Sequence, residues 1–224
     1  MIPLSIFDVD RTLTRLPTYS AFLLFAARRL APWRLALLPV LAPTAAGYAL
    51  KLVDRRQMKE TMHRLMLGRR LPCARARAIA TAFVDQLVEN GLYREGQALI
   101  ARERAAGRRI VLATAAPELY VRSLAERLGV EDVIATAGTW RAGCLTPAID
   151  GLNCYGAAKQ AMLATWLAGN GLSRETCHMR FYSDHASDLP TFEWVDEPVA
   201  VNPSRRLYAI ARERGWPAVD WRAR

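Results

Sequence analysis

Hydrophobic and polar positions follow two different periodicities along the chain. Short continuous apolar runs, typical of buried strands in a parallel sheet, occur at residues 3–8 and again from residue 108 onward. Between these parts apolar residues recur at helical spacing, most clearly in residues 54–67. The apolar positions on that helical face are Met58, Met62, Leu65 and Met66. Such a face is more typical of packing than of a substrate groove.

Strands and helices alternate in the second half of the chain. Strands are predicted at residues 108–114, 131–137, 178–184 and 197–202, helices at 117–128, 156–168, 188–195 and 204–214, and a hairpin at 138–150. This alternation predicts an α/β fold with a Rossmann-like parallel sheet and helices on both faces. We expect residues 1–14 and 91–224 to form this core. Residues 15–90 are expected to be an all-helical insertion, called the cap below.

The cap contains one apolar segment that could be mistaken for a membrane span. Helices are predicted at residues 18–30, 54–67 and 74–90, followed by a helix at 95–106. Residues 35–50 carry no charge, but a spanning helix needs about 20 such residues. The segment also contains two prolines and a glycine, which interrupt helices. We therefore do not expect it to cross a bilayer.

Composition narrows the class of protein. Apolar residues make up 52% of the 224 positions, which is enough for a core and argues against disorder. The four cysteines lie far apart without a CxxC pair, so neither a zinc site nor a disulfide framework is indicated. Charged residues near the N-terminus interrupt any signal-peptide core, and we expect a reducing, cytoplasmic location.

Positive charge is concentrated in the cap. The net charge is +10, and 13 basic but only 2 acidic residues lie between Arg15 and Arg77. Basic residues that flank an apolar run suit an anionic membrane surface, so peripheral contact with the inner face of a membrane is one interpretation. A solvated basic surface is the other. Few aromatic residues alternate with the basic ones, so nucleic acid is not expected as a partner.

Carboxylates and one hydroxyl group lie at the predicted ends of several strands. Asp8 and Asp10 follow the first strand, Thr114 ends the second, and Asp184 ends a later strand with Asp188 four residues on. Ligands of open α/β sheets bind beyond the carboxyl ends of the strands. Carboxylates gathered there need a cation, and Mg²⁺ prefers oxygen ligands and retains several waters. An ionised aspartate in such a site can attack phosphorus.

Lys159 adds an amine to this group. The chain has three lysines among 31 basic residues, so a lysine in the predicted helix at 156–168 stands out. A compact ammonium suits a phosphoryl group, whose charge also needs a hydroxyl and backbone donors. This set of residues points to phosphoryl transfer.

In order and spacing, these segments resemble the motifs of the haloacid dehalogenase (HAD) superfamily of phosphohydrolases. DVDRTLT is similar to its first motif, VLATAA to the second, Lys159 to the third, and YSDHASDLP to the fourth. The position of the insertion resembles the phosphoserine-phosphatase group, which has a helical C1 cap. The closing stretch resembles subfamily IB.

The resemblance implies a role for each matching residue. Asp8 is the expected nucleophile, and Asp10 the acid that protonates the leaving group and then activates water. Thr114, Lys159 and Thr12 are expected to form the phosphate-binding set, in which Thr114 and Lys159 hold the phosphoryl group and Thr12 braces the first loop. The implied ligands of Mg²⁺ are Asp8, the backbone carbonyl of Asp10, Asp184, and Asp188 directly or through water.

The substrate remains open at this level. Phosphoserine phosphatases usually place a glutamate nine residues after the nucleophile, where this chain has Pro17, and no carboxylate occurs between Asp10 and Asp54. The cap is similar in composition to that of bacterial phosphatidylglycerophosphatase C. We expect a phosphomonoester hydrolase for a lipid-linked or small organic phosphate. The alternatives are a phosphoserine-phosphatase-like enzyme and a non-catalytic protein that binds membrane surfaces on a HAD scaffold.

Overall fold

The computed structural model describes residues 1–222, apart from the side chain of Ala45, and its strands form one sheet. Residues 223–224 of the predicted core lie outside the described residues. The strands are β1 (Ile2–Phe7), β2 (Leu71–Pro72), β3 (Arg109–Pro117), β4 (Asp132–Arg141), β5 (Cys144–Asp150), β6 (Cys177–Ser183), β7 (Glu197–Val201) and β8 (Ala218–Val219). Their order is β2-β5-β4-β3-β1-β6-β7-β8. Six neighbouring strands in this order, β4-β3-β1-β6-β7-β8, pair in parallel, which confirms the predicted α/β class.

Helices cover both faces of the sheet and make up most of the cap. They are α1 (Thr18–Leu30), α2 (Ala42–Ala49), α3 (Arg55–Met66), α4 (Cys73–Asn90), α5 (Arg94–Ala105), α6 (Glu118–Leu128), α7 (Ala157–Gly169), α8 (Leu189–Trp194) and α9 (Arg205–Glu213). Short 3₁₀ segments occur at Pro32–Leu41 and Ala186–Asp188. The start of α3 is set by a capping box, in which the Asp54 side chain accepts from Gln57 N. The apolar face of α3 packs into the core, with Met66 buried.

Two details differ from the elements predicted by the sequence. The cap is not entirely helical, because β2 pairs antiparallel with β5, with Leu71 opposite Leu145. This strand has two residues, too few for an alternating pattern to appear. β3 extends to Pro117, whose backbone is extended, so α6 begins one residue later than predicted. The predicted hairpin at 138–150 is present as the antiparallel pair β4–β5.

The apolar segment at residues 35–50 folds as part of two short elements. Pro39 lies inside the 3₁₀ segment, and α2 follows with Pro43 in its first turn. None of the helices in residues 1–222 is both long and apolar enough to cross a membrane.

β1 lies at the centre of the sheet and separates two hydrophobic clusters. Leu4 and Ile6 are fully buried on one face, while Phe7 packs on the other face and stacks on Tyr182 at 4.5 Å between ring centroids. Phe7 is paired with Leu112 of β3 and with Tyr182 of β6. The carboxyl ends of these three strands therefore meet at one edge, and the residues that follow them lie close together.

Candidate active site

The first loop after β1 places two carboxylates beside the same cavity. The backbone N–H of Asp8 donates to Tyr182 O at 2.9 Å, which continues the sheet pairing by one residue. Arg11 has a φ of 59°, a left-handed conformation that is uncommon for arginine. Asn202 Nδ2 donates to Arg11 O at 2.9 Å and secures this turn. Asp8 and Asp10 both line a cavity of about 300 Å³.

Lys159 links the first and fourth motifs. Its Nζ donates to Asp8 Oδ1 at 2.8 Å and to Asp188 Oδ2 at 2.6 Å, and its side chain is 2% exposed. Ser183 Oγ also donates to Asp188 Oδ2, at 2.8 Å. Since a buried ammonium needs such partners, the two carboxylates hold Lys159 at one position beside Asp8, the candidate nucleophile. The ion pairs with Asp8 and Asp188 thus explain why a lysine occupies position 159.

Burial and mutual repulsion shape the protonation of the carboxylates. Burial raises the pKa of Asp8 to about 8, with Lys159 acting against this and the Asp188 and Asp184 carboxylates adding to it. Burial and the charge of Asp188 raise the pKa of Asp184 to about 7. Burial alone would lower the pKa of Lys159, but Asp188 and Asp8 more than offset this and raise it. The site therefore favours a further cation, which would keep the carboxylates ionised.

Asp10 is oriented by the cap rather than by the sheet. Its Oδ1 accepts from Thr18 N at 2.8 Å and from Thr18 Oγ1 at 2.6 Å, at the start of α1. Thr18 Oγ1 also lies 2.7 Å from the hydroxyl of the buried Tyr120. Burial raises the pKa of Asp10, while the two bonds from Thr18 oppose that rise. A carboxyl with a raised pKa can carry the proton that a general acid needs.

The two predicted phosphate-binding hydroxyl groups occupy different positions. Thr114 is buried, lines the cavity, and its Oγ1 accepts from Ala116 N at 3.2 Å. Thr12 is fully buried, and its Oγ1 lies 3.5 Å from Asp8 Oδ2, which is long for a hydrogen bond. Thr12 therefore lies beside Asp8 without lining the cavity.

The structure brings most of the predicted site residues to this one cavity. The members that line it are Asp8, Asp10, Thr114, Lys159, Asp184 and Asp188. A larger cavity of about 600 Å³ lies between the cap and α6 and contains none of them. The candidate catalytic residues therefore belong to the smaller cavity.

The oxygen atoms that line the cavity suit a magnesium ion that takes only a few of its ligands from the protein. No group of three or more metal-binding side chains converges in residues 1–222. Asp188 Oδ2 is already bonded to Lys159 and Ser183, which favours Asp8 and Asp184 as the carboxylate ligands. All candidate donors are oxygens, and Mg²⁺ commonly combines one or two carboxylates with waters. The buried carboxylates with raised pKa values are consistent with such an ion.

Lys59 is a functional candidate that the sequence motifs did not reveal. It belongs to α3 of the cap, and its Nζ donates to Ala115 O and to Asn153 Oδ1, both at 2.7 Å. Ala115 lines the cavity directly after Thr114. Burial lowers the pKa of Lys59 to about 8, and the nearby charge of Arg55 adds to this. The scarcity of lysine, which drew attention to Lys159, applies equally to Lys59 and could have identified it.

Comparison with known proteins gives the family. The family model of the haloacid dehalogenase-like hydrolases matches residues 6–193, which include all four motifs. This chain belongs to that family. The curated relatives include a protein of Mycobacterium tuberculosis described as a probable phosphatase, 32% identical over 148 residues, which are 66% of this chain and 50% of the relative.

A second curated relative and one solved structure extend the comparison. A phosphoserine phosphatase of Mycobacterium tuberculosis is 29% identical over 145 residues, 65% of this chain and 46% of that protein. This chain thus spans about half the length of these curated relatives. A crystal structure of a Bordetella pertussis protein of unknown function has a TM-score of 0.85 and 28% identity, with 99% of both chains covered. Both the cap and the core of that protein are therefore similar to those described above.

Proposed function

We propose that this protein is a Mg²⁺-dependent phosphomonoester hydrolase that works through an aspartyl-phosphate intermediate. The observation that carries the proposal is the contact of Lys159 Nζ with both Asp8 and Asp188 in the cavity that Asp10 also lines. A relative described as a probable phosphatase supports the same reaction class. The presence of both Asp8 and Asp10 argues against a non-catalytic binding protein.

Each step of the proposed reaction uses a residue with a suitable position. A carboxylate oxygen of Asp8 attacks phosphorus, the bond from phosphorus to the ester oxygen breaks, and Asp10 gives its proton to the departing alkoxide. Lys159 and Thr114 bind phosphoryl oxygens. A bound Mg²⁺ supplies positive charge that offsets the carboxylates and the phosphoryl group. Asp10 then takes a proton from water as that water attacks phosphorus, which releases phosphate and regenerates Asp8.

The nucleophile is tested by one conservative substitution. Asp8→Asn should reduce hydrolysis of 4-nitrophenyl phosphate by about 10³-fold or more, because an amide does not replace the attacking carboxylate. Asp150→Asn makes the same change at an exposed position at the end of β5 and should retain activity. Chelation of divalent metal should abolish turnover in the wild type, and Mg²⁺ should restore it. Retained turnover in folded Asp8→Asn would refute the assignment.

A small organic phosphate is the substrate class that the cavity supports best. Its volume of about 300 Å³ is at the lower end for ligand sites, which fits a compact substrate. The cap contributes no carboxylate to this cavity, so a phosphoserine-like ammonium group finds there no acidic partner outside the catalytic set. A panel of phosphorylated metabolites and lipid phosphates tested with Mg²⁺ would identify the substrate.

A lipid-linked phosphate is a second candidate, because of the outer surface of the cap. Trp33, Leu50 and Leu52 are 65%, 69% and 78% exposed, and all lie within one stretch of twenty residues. Exposed arginines at positions 28 and 29 and the exposed Lys51 flank them. Exposed apolar residues next to basic ones suit an anionic membrane surface. We include peripheral contact at the inner face of a membrane in this proposal.

Vesicle sedimentation tests the membrane part of the proposal. Binding to anionic vesicles at low salt, reduced in Trp33→Ser with Leu52→Ser and weakened at 1 M salt, would support it. Leu16→Ser removes an exposed leucine elsewhere on the surface and is the matched control. Failure to bind anionic vesicles at low salt, with good turnover of small phosphates, would leave a phosphatase for soluble substrates.

A further inference from the structure

The larger cavity, of about 600 Å³, has no role in the reaction proposed above. Within residues 1–222 it shares no lining residue with the catalytic cavity, whose volume is about 300 Å³. Its size lies in the range of about 300–1,000 Å³ that is usual for sites of small organic ligands. A molecule bound there would therefore be separate from a phosphoryl group at Asp8.

Two helices from different parts of the chain contribute a row of side chains to this cavity. Residues four apart on a helix lie on the same face. The rows that line the cavity are Cys73, Arg77 and Thr81 on α4 of the cap, and Glu118, Arg122 and Glu126 on α6 of the core. The rings of Phe83 and Tyr120, with centroids 5.3 Å apart, and the ion pair between Arg127 and Asp85 hold the two helices together. The cavity is therefore bounded by both the cap and the core.

Apolar side chains form much of the remaining lining, and one of them is an accessible aromatic ring. Leu67 of α3, Leu119 of α6 and Leu145 of β5 line the cavity together with Trp140 of β4. Trp140 is 44% exposed, whereas Leu67 and Leu145 are buried. Aromatic rings pack favourably on one another in offset or edge-to-face arrangements. An accessible indole beside leucine side chains therefore suits a ligand that carries an aromatic ring.

The charges in the lining balance, but they do not all pair with one another. Arg122 Nε donates to Glu118 Oε1 at 2.8 Å, so this cation and this anion satisfy each other. Neither Arg77 nor Glu126 forms an ion pair within residues 1–222, although both line the cavity. Burial lowers the pKa of His63, another lining residue, to about 4, so it adds no charge at neutral pH. In the described part of the chain, the lining thus offers one cation and one anion to a ligand.

We propose that this cavity binds a small aromatic zwitterion, with the chemistry of an aromatic amino acid. Its carboxylate accepts hydrogen bonds from the Arg77 guanidinium, its ammonium donates to the Glu126 carboxylate, and its ring packs against Trp140. Because Arg77 belongs to the cap and the other two residues belong to the core, the bound molecule joins the two parts. The site is independent of the proposed function, since no candidate catalytic residue takes part in it.

Three ligands with the same indole ring and two-carbon chain isolate the two charges. L-tryptophan carries both charges, tryptamine carries only the ammonium, and 3-indolepropionate carries only the carboxylate. Calorimetry with the wild type measures their binding without any need for turnover. We expect L-tryptophan to bind about tenfold or more tightly than either of the others, because each of those lacks one charged hydrogen-bonding group. L-tryptophan should also raise the melting temperature, since it binds the folded protein and not the unfolded chain.

Single substitutions assign each charge of the ligand to one residue. Arg77→Gln should weaken binding of L-tryptophan about tenfold without weakening that of tryptamine, which has no carboxylate. Glu126→Gln should likewise weaken binding of L-tryptophan without weakening that of 3-indolepropionate, which has no ammonium. Trp140→Leu should weaken binding of all three ligands. Arg75→Gln and Glu89→Gln remove the same charges from exposed positions outside the cavity and should leave the affinities unchanged.

Several results would overturn the proposed site. One is that the wild type does not bind L-tryptophan at millimolar concentration. Another is equal affinity for all three indoles, which would show that Arg77 and Glu126 are only solvated surface charges. Unchanged affinity for L-tryptophan in Arg77→Gln, shown by circular dichroism to be folded, would also overturn it. Hydrolysis of 4-nitrophenyl phosphate by the wild type and its loss in Asp8→Asn test the proposed function separately.

Discussion

The sheet edge around Lys159 and the contact between cap and sheet around Lys59 each bury a lysine, in opposite electrostatic surroundings. Lys159 pairs with the carboxylates of Asp8 and Asp188, which raise its pKa despite burial. Lys59 bonds to the neutral oxygens of Ala115 and Asn153, and burial lowers its pKa to about 8. Because both amines are buried, the comparison shows that the neighbouring groups decide the direction in which the pKa of a buried lysine moves.

The largest effect is expected at the sheet edge. Lys159→Met leaves Asp8 and Asp188 without their shared cation, and breaking a buried ion pair commonly destabilises by about 3–5 kcal/mol. Turnover of 4-nitrophenyl phosphate should fall by about 10³-fold, since the proposed donor to the phosphoryl group is lost as well. Kinetics and thermal denaturation measure the two effects. Lys51→Met, at an exposed cap position, is the control and should change neither.

Thr18→Val tests how far the cap contributes to the chemistry. The substitution removes the hydroxyl that donates to Asp10 Oδ1 and keeps the backbone bond from Thr18 N. Without this bond the pKa of Asp10 should rise further, because Thr18 opposes its rise. We expect kcat to fall about 10-fold to 100-fold and the descending limb of the pH profile to move to higher pH. An unchanged profile would show that Asp10 is not oriented by Thr18.

A smaller effect is expected at the cap contact. Thr136 Oγ1 lies 2.9 Å from Ala115 O and 3.0 Å from Asn153 Oδ1, so after Lys59→Met its one proton still serves one of these two acceptors. The change in the free energy of unfolding should be below about 2 kcal/mol, and turnover should fall less than about tenfold. A loss of stability and turnover as large as that in Lys159→Met would contradict the contrast between the two lysines.

The smallest effect on turnover is expected at His63, which contributes to pH-dependent stability. Burial lowers the pKa of His63 to about 4, and its Nδ1 lies 3.1 Å from Pro147 O of β5. Between pH 6.5 and pH 4 the imidazole of His63 is protonated in the unfolded chain and neutral in the folded chain. Stability from this group is therefore present above pH 6.5 and lost as pH falls toward 4, by up to about 3 kcal/mol.

His63→Gln retains an amide donor for Pro147 O but does not titrate. Its melting temperature should fall less than that of the wild type between pH 7 and pH 4.5. His178→Gln removes a partly exposed histidine near Glu197 and serves as the comparison. An equal acid-induced decrease in His63→Gln and the wild type would exclude His63 as the cause.

The motif residues could be predicted because their neighbours in the chain set their positions. Asp8 and Asp184 each follow a buried strand and Thr114 lies near the end of another, and parallel pairing of these strands brings the three residues to one edge. Their roles in the reaction remain predictions. The contacts of Lys59 with Asn153 and of Arg55 with Tyr155 had no such signal, since these partners lie about a hundred residues away in the loop before α7.

The exposure of apolar side chains on the cap could not be predicted from the sequence either. Residues 35–50 are strongly apolar, which by itself is typical of a buried segment. The structure exposes several apolar side chains in and beside this segment, among them Trp33, Val40 and Leu50. Local hydrophobicity does not specify whether another element is available to cover a segment, because that depends on how the whole chain packs.

By itself the sequence determined the order of the main strands and helices, the parallel sheet, and the placement of the candidate catalytic carboxylates at one edge. Periodicity and chain order are local properties, so they can be recognised in the sequence without knowledge of long-range contacts. Only the tertiary structure decided that Arg55 at the start of α3 lines the cavity, that Lys59 bonds to Ala115 O beside it, and that Thr18 orients Asp10. Those contacts depend on the angle at which the cap packs on the sheet, and burial and charge there arise only once both parts are folded.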